Sequence, residues 1–207
     1  FPDANPVTTW SYAPKSPAYG LRCQARKPKP GDDGSAAKLV YVGDIAHWLI
    51  LGPFTAKDAA AALEESFAGD ETRLQPEAGD KVGDAAWTLL EPTDYRDGIT
   101  PEEIRKSGGG PYSLGFLSRP VKLPGKGANQ VAYAHAYLFA QTPGKMLLIV
   151  NHADGMKAWV NGKEVYRETR ARQNFNYYEM DHVLERLEVP EPPVKIAAAL
   201  DKGWNRL

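Results

Sequence analysis

Residues 167–182, RETRARQNFNYYEMDH, hold the side chains best suited to recognition. Arg167, Arg170 and Arg172 lead into Phe175, Tyr177 and Tyr178. A guanidinium presents a planar fork of donors, and a flat aromatic face stacks on a sugar ring or a planar anion. Arg170, Arg172, Asn174, Tyr177 and Tyr178 are therefore the candidate ligand-binding residues. The alternative is a long loop whose aromatics cover the core and whose arginines pair with Glu168, Glu179 and Asp181. The run GGGPYSLGF at 108–116 is a second surface candidate, since three glycines allow close backbone approach to a ligand or serve flexibility alone. Arginine with aromatics also suits single-stranded nucleic acid. A formal net charge of −1 argues against that partner, because it supplies no basic field.

Other reactive residue types form no catalytic pattern. His47, His135, His152 and His182 include no pair at a metal-ligand spacing such as H-x-x-x-H. His47 and His135 fall inside strand patterns and are expected as satisfied or half-buried histidines. His152 and His182 are loop-proximal, in the range where a histidine titrates near neutral pH. Cys23 stands between Arg22 and Arg26, a setting that would make an exposed thiol reactive; the alternative is a lone incidental cysteine. One cysteine makes no internal disulfide and no cysteine-rich zinc site. The carboxylate pairs Asp32-Asp33, Glu64-Glu65 and Glu102-Glu103 are sequence neighbours, whereas glycosidic hydrolysis needs two carboxylates facing each other across a cleft. There is no G-x-S-x-G elbow. No residue is assigned as catalytic, and the chain is expected not to be an enzyme.

Short strands must position these residues. Apolar or alternating runs occur at 39–43 (LVYVG), 47–54 (HWLILGPF), 86–92 (AWTLLEP), 131–140 (VAYAHAYLFA), 145–151 (KMLLIVN), 156–160 (MKAWV), 163–167 (KEVYR) and 194–200 (VKIAAAL). Gly52-Pro53 is expected to end its strand as a turn. In 131–140, Tyr133, His135, Tyr137 and Phe139 share one face. The run 145–151 reads as an interior strand. Asn161-Gly162 is the strongest hairpin signal, because both residues tolerate positive φ. The one clear helix is 56–67, AKDAAAALEESF, with Thr55 or Asp58 as N-cap and Gly69 as terminator. A second short helix would start near Thr100. Strands every 10–15 residues with turns between them predict a mainly β fold, an antiparallel β-sandwich with one or two short helices. No Gly-rich loop leads from a strand into a helix, which disfavours the doubly wound α/β class.

Residues 1–38 carry six prolines and the polar run KPKPGDDGS, so they read as an N-terminal extension or linker, with Trp10, Tyr12, Tyr19 and Leu21 able to dock it. Residues 39–207 are expected to form the module. The start at Phe1 and the end at LDKGWNRL, where a strand begins, suggest a module that continues beyond 207 in a longer protein. No apolar run approaches the roughly 18 residues of a membrane span. Hydrophobic residues make up 43% and charged residues 25%, enough for a core that needs neither disulfide nor metal.

Three segments carry a family resemblance: HWLILGPF (47–54), NHADGMKAWVNGKEVYR (151–167) and LDKGWNRL (200–207). They resemble the β-sandwich accessory modules of large exported bacterial proteins, which show a W-x-x-x-GPF opening, a DDG-x-x-x-W-x-NG-x-x-V hairpin and a closing L-x-x-G-x-N-x-L strand. Such modules are similar to galactose-binding-like and protective-antigen-like domains. The resemblance implies a jelly-roll or galactose-binding-like sandwich, a carbohydrate or a neighbouring protein domain as partner, and an extracellular, periplasmic or cell-surface location. Paired acids in the DDG loop of the lectin-like relatives hold calcium. Here the pair reads Ala153-Asp154, so Asp154 alone matches as a metal ligand, and calcium wants six to eight oxygens. Asn151 and Asp181 are the side chains that would have to help. The expected cofactor is none, with calcium as the exception. The motif residues also have a plain structural reading: Trp159 as core, Asn161-Gly162 as the turn, Gly203 and Asn205 as the bend into the last strand. The expected function is a non-catalytic carbohydrate-binding module; the alternative is a structural or assembly domain that docks other domains or subunits.

Overall fold

A computed structural model describes residues 21–39, 45, 47–90, 124, 128–150, 152, 154–170 and 194–207. These residues are mainly β. The strands are β1 (Arg22–Gln24), β2 (Lys38–Leu39), β3 (Trp48–Thr55), β4 (Lys81–Val82), β5 (Ala85–Ala86), β6 (Thr88–Leu90), β7 (Gln130–His135), β8 (Tyr137–Ala140), β9 (Gly144–Val150), β10 (Met156–Val160), β11 (Lys163–Glu168), β12 (Val194–Leu200) and β13 (Gly203–Arg206). Every pairing among them is antiparallel. The sheets run β13-β8-β1-β2 and β6-β3-β7, with pairs β9–β12, β10–β11 and β4–β5.

The alternating run 131–140 forms two strands. Ala136 separates them, its N–H donating to Leu207 O at 2.9 Å and its carbonyl accepting from Leu207 N at 3.0 Å. Before the break the chain pairs with β3; after it, with β1 and β13. One continuous line of chain therefore serves two sheets. Leu138 and Ala140 join a core cluster with Leu21, Cys23, Met146, Val160, Ala198 and Leu200. Tyr137 joins a second cluster with Leu49, Leu51, Ala68 and Trp87. Successive side chains of a strand point to opposite faces, so β8 is buried on both. Leu21 docks as its apolar character suggests, and β1 adds Cys23 to the core.

The Gly52-Pro53 dipeptide does not end its strand. β3 runs through it with a cis bond, and the register with β7 shifts between Leu51 and Phe54. A Cβ at Gly52 would meet Val131 O at 2.9 Å, which explains the glycine. The helix is shorter than the sequence predicts: α1 spans Ala59–Glu64, with Asp58 accepting from Ala61 N at 2.8 Å. Tertiary partners claim its expected ends. Ala56 N donates to Asn129 O, and Phe67 N donates to the Tyr133 hydroxyl while its ring stacks on Phe54.

β9 pairs with β12 along seven residues. Among the described residues no second strand flanks it, so the interior position predicted for it is not reproduced. The Asn-Gly hairpin forms as predicted, with φ of 53° at Asn161 and 80° at Gly162. Trp159 departs from its expected core role. Ala158 and Val160 share the buried face of β10, so Trp159 between them is half-buried, with the Lys157 ammonium 6.0 Å from its ring centre.

Candidate functional site

The register fixes what meets at each end of these strands. Val150 of β9 faces Val194 of β12, and Met156 of β10 faces Glu168 of β11. The loop 151–155 and the roots of the segment 169–193 therefore share one end. The opposite end carries the Asn161-Gly162 turn and the bend at Asp201 and Lys202.

At the first end the described side chains are partly exposed and polar. His152 Nδ1 lies 2.6 Å from Asp154 O, and its Nε2 lies 3.0 Å from the Tyr166 hydroxyl. A carbonyl only accepts, so Nδ1 carries a proton, and Nε2 shares a hydrogen bond with the Tyr166 hydroxyl. The two rings meet edge to face at 5.6 Å. Gly155 fits where a Cβ would meet Leu63 Cδ1 at 2.8 Å and Glu168 O at 3.2 Å. Arg170, the one ligand candidate of the 170–178 set among the described residues, is braced by Glu168: its Nε stands 3.4 Å from Oε2, and its N–H donates to Oε1 at 3.4 Å. Arg172, Asn174, Tyr177 and Tyr178 lie outside the described residues, as do His182 and the 108–116 run.

Arg167 is already engaged. It grips Glu164 with two 2.8 Å hydrogen bonds and reaches Glu64 at the end of α1. The grip draws the Glu164 carboxyl below its ordinary value and pushes the Arg167 guanidinium further up, each through its hydrogen bonds to the other. Arg167 thus ties the hairpin to the helix.

Asp154 is exposed, and its carbonyl is taken by His152. Asn151 and Asp181, needed to complete a calcium shell, lie outside the described residues. Among the described residues no group of three or more His, Cys, Asp or Glu could hold a metal ion. The Cys23 thiol is fully buried in the first core cluster, which closes it to reagents.

The motif residues converge at the opposite end. Asn205 is fully buried; its amide donates to Asp201 O at 2.9 Å and Gly203 O at 3.0 Å. Its Oδ1 accepts from Asn161 Nδ2 and Asp201 N, both at 2.8 Å. Asn161 in turn accepts from Arg206 N at 2.9 Å and donates to Asp201 Oδ2 at 3.2 Å. Hairpin, bend and last strand are thereby bolted together. Every polar atom of the Asn205 side chain is spent within the chain, so the structural reading of these motif residues holds for Asn161 and Asn205.

The sequence did not reveal the pairing of His152 with Tyr166. Counting outward from Asn-Gly gives the register only as far as the shift at Ala158, and Tyr166 lies beyond it. A third feature is an open depression of about 340 Å³ lined by Leu74, Pro76, Val82 and Trp87 among others. It lines with none of the candidate residues. No protein-family model, curated protein or solved structure matches the chain.

Proposed function

We propose that the chain is a non-catalytic β-sandwich module of the galactose-binding-like and protective-antigen-like kind, and that it binds carbohydrate at the end bearing loop 151–155 and residues 167–178. It serves a larger exported protein. The observation that carries this reading is the division of labour between the two ends. Asn161 and Asn205 are consumed by a network around the buried Asn205 side chain at one end, while the other gathers the half-exposed His152–Tyr166 pair and Arg170, held by Glu168, at the root of the Arg- and Tyr-rich segment. Recognition there would combine stacking on Tyr177 and Tyr178 with hydrogen bonds from Arg170, Arg172 and Asn174.

A glycan array followed by calorimetry on the purified chain tests it. Binding to at least one glycan, weakened tenfold or more by Tyr177→Ala and by Arg172→Ala, is the expected result. Absence of binding to every glycan, with stable association to other domains of the parent protein, would establish the assembly role instead.

A further inference from the structure

Residues 66–87 lie as a cover over the aromatic face of β7 and β8. Their regular structure is slight: a single 3-10 turn at Glu71–Arg73 and the two-residue β4–β5 pair. Four hydrogen bonds pin the cover. Phe67 N donates to the Tyr133 hydroxyl at 3.0 Å, and that hydroxyl donates to Glu71 Oε1 at 2.8 Å. The Tyr137 hydroxyl donates to Pro76 O at 3.0 Å, and Arg206 Nη1 donates to Leu74 O at 3.2 Å. Ala68 and Trp87 pack into the core beneath.

Under this cover sits His135, 5% exposed. Its ring meets Tyr137 edge-on at 4.6 Å and Trp87 at 6.2 Å. Its Nε2 is buried and has no hydrogen-bond partner. We propose that protonation of His135 lifts residues 66–87 off the β7–β8 face while the underlying strands stay paired.

A neutral imidazole tolerates an aromatic cage, but an imidazolium there needs an acceptor or water at each N–H. Nε2 has neither. β3 places Leu49 opposite His135 and carries no charged residue. β13 brings Arg206, whose positive charge opposes a second cation. The Tyr133 and Tyr137 hydroxyls already donate to the cover. The nearby carboxylates are Glu71, bonded to Tyr133, and Glu77 and Asp80, which act on Tyr137. All three belong to the cover and leave with it. Lifting the cover brings water to His135 at the cost of four hydrogen bonds and the core contacts of Ala68 and Trp87, and spares the β3–β7 and β8–β13 ladders.

Burial, reinforced by Arg206, holds the His135 pKa down to about 4, against 6.5 for an exposed histidine. The closed form therefore binds its proton only near pH 4, and the open form already near 6.5. The closed form is fully favoured above pH 6.5 and loses ground as pH falls toward 4. The open population rises about tenfold per pH unit across that window, roughly 300-fold in all.

Hydrogen exchange read by mass spectrometry on the full chain, corrected for the intrinsic pH dependence of exchange, tests this between pH 7 and 4. Peptides within 66–87 are expected to lose protection as pH falls below 6.5, while those of β9, β12 and β13 keep theirs. His135→Phe, which keeps a ring against Trp87 and Tyr137 but cannot titrate, should abolish the loss. Unchanged protection of 66–87 down to pH 4, or simultaneous loss in all strands, overturns the proposal. So does local opening that persists in His135→Phe and vanishes in Glu71→Gln, which would assign the trigger to the carboxylate.

Discussion

The two ends of the β10–β11 hairpin are built on opposite principles. At the turn, the half-buried Asn161 donates a hydrogen bond to Asn205, whose side chain is fully buried. At the open end, His152, Tyr166, Glu168 and Arg170 are polar, half-exposed or exposed, and linked by contacts that water could replace. A buried polar group without its partners costs its full desolvation, whereas an exposed one re-solvates cheaply. The closed end should therefore govern stability and the open end recognition.

The largest test of this contrast is Asn205→Ala. It removes both donors and the acceptor of a fully buried side chain and deprives Asp201 N of its acceptor, while Asn161 Nδ2 keeps only Asp201 Oδ2. We expect a loss of about 3 kcal/mol, read from the midpoint of urea unfolding. A loss below about 1 kcal/mol would dissolve the distinction. Gly162→Ala comes next. The residue has φ of 80°, and a Cβ there would collide with the Thr72 carbonyl. About 2 kcal/mol is expected, again from urea midpoints, because the obstacle is backbone and cannot rotate away.

At the open end the expected pattern reverses. Tyr166→Phe deletes one part-buried hydrogen bond to His152 and keeps the ring contact. It should lower stability by about 1 kcal/mol or less. On the proposed function it should also weaken glycan binding measured by calorimetry. A Tyr166→Phe variant as unstable as Asn205→Ala would show that this end too is a structural bolt.

This asymmetry was only partly legible in the sequence. The Asn-Gly turn, most strand runs and Asp58 as one of two cap candidates could be read because each is set by neighbours a few residues away. The partners of Asn161 could not be, since Asn205 lies 44 positions later and only pairing through β12 and β13 brings it back. Trp159 misled for another reason: its size suggested core, but its neighbours Ala158 and Val160 take the buried face of β10 and leave Trp159 half-buried on the other. Gly52-Pro53 has turn composition, yet β7 pairs along both sides of it and keeps the chain extended. The 131–140 run was visible as a strand, while its change of sheet at Ala136 depends on Leu207. Of the candidate site, Arg170 and Asp154 are placed at one end by the register, and residues 171–193 lie outside the described part.

The smallest effect is expected for Arg167→Ala, and it separates contact from contribution. Arg167 makes more charged hydrogen bonds than any residue of the open end described above, to Glu164 and to Glu64. Its side chain is 38% exposed, and those of Glu164 and Glu64 are 37% and 64% exposed. Exposed ion pairs gain little over solvation and weaken with salt. The bidentate geometry and the link to α1 raise the value somewhat, so a small loss of stability is expected at low salt, shrinking at high salt. The check is a pair of thermal unfolding curves for each variant at the two salt concentrations. A salt-independent loss as large as that of Asn205→Ala would mean that Arg167 supports packing of α1 against the hairpin through its aliphatic stem, and the open end would then share the structural burden now assigned to Asn161 and Asn205.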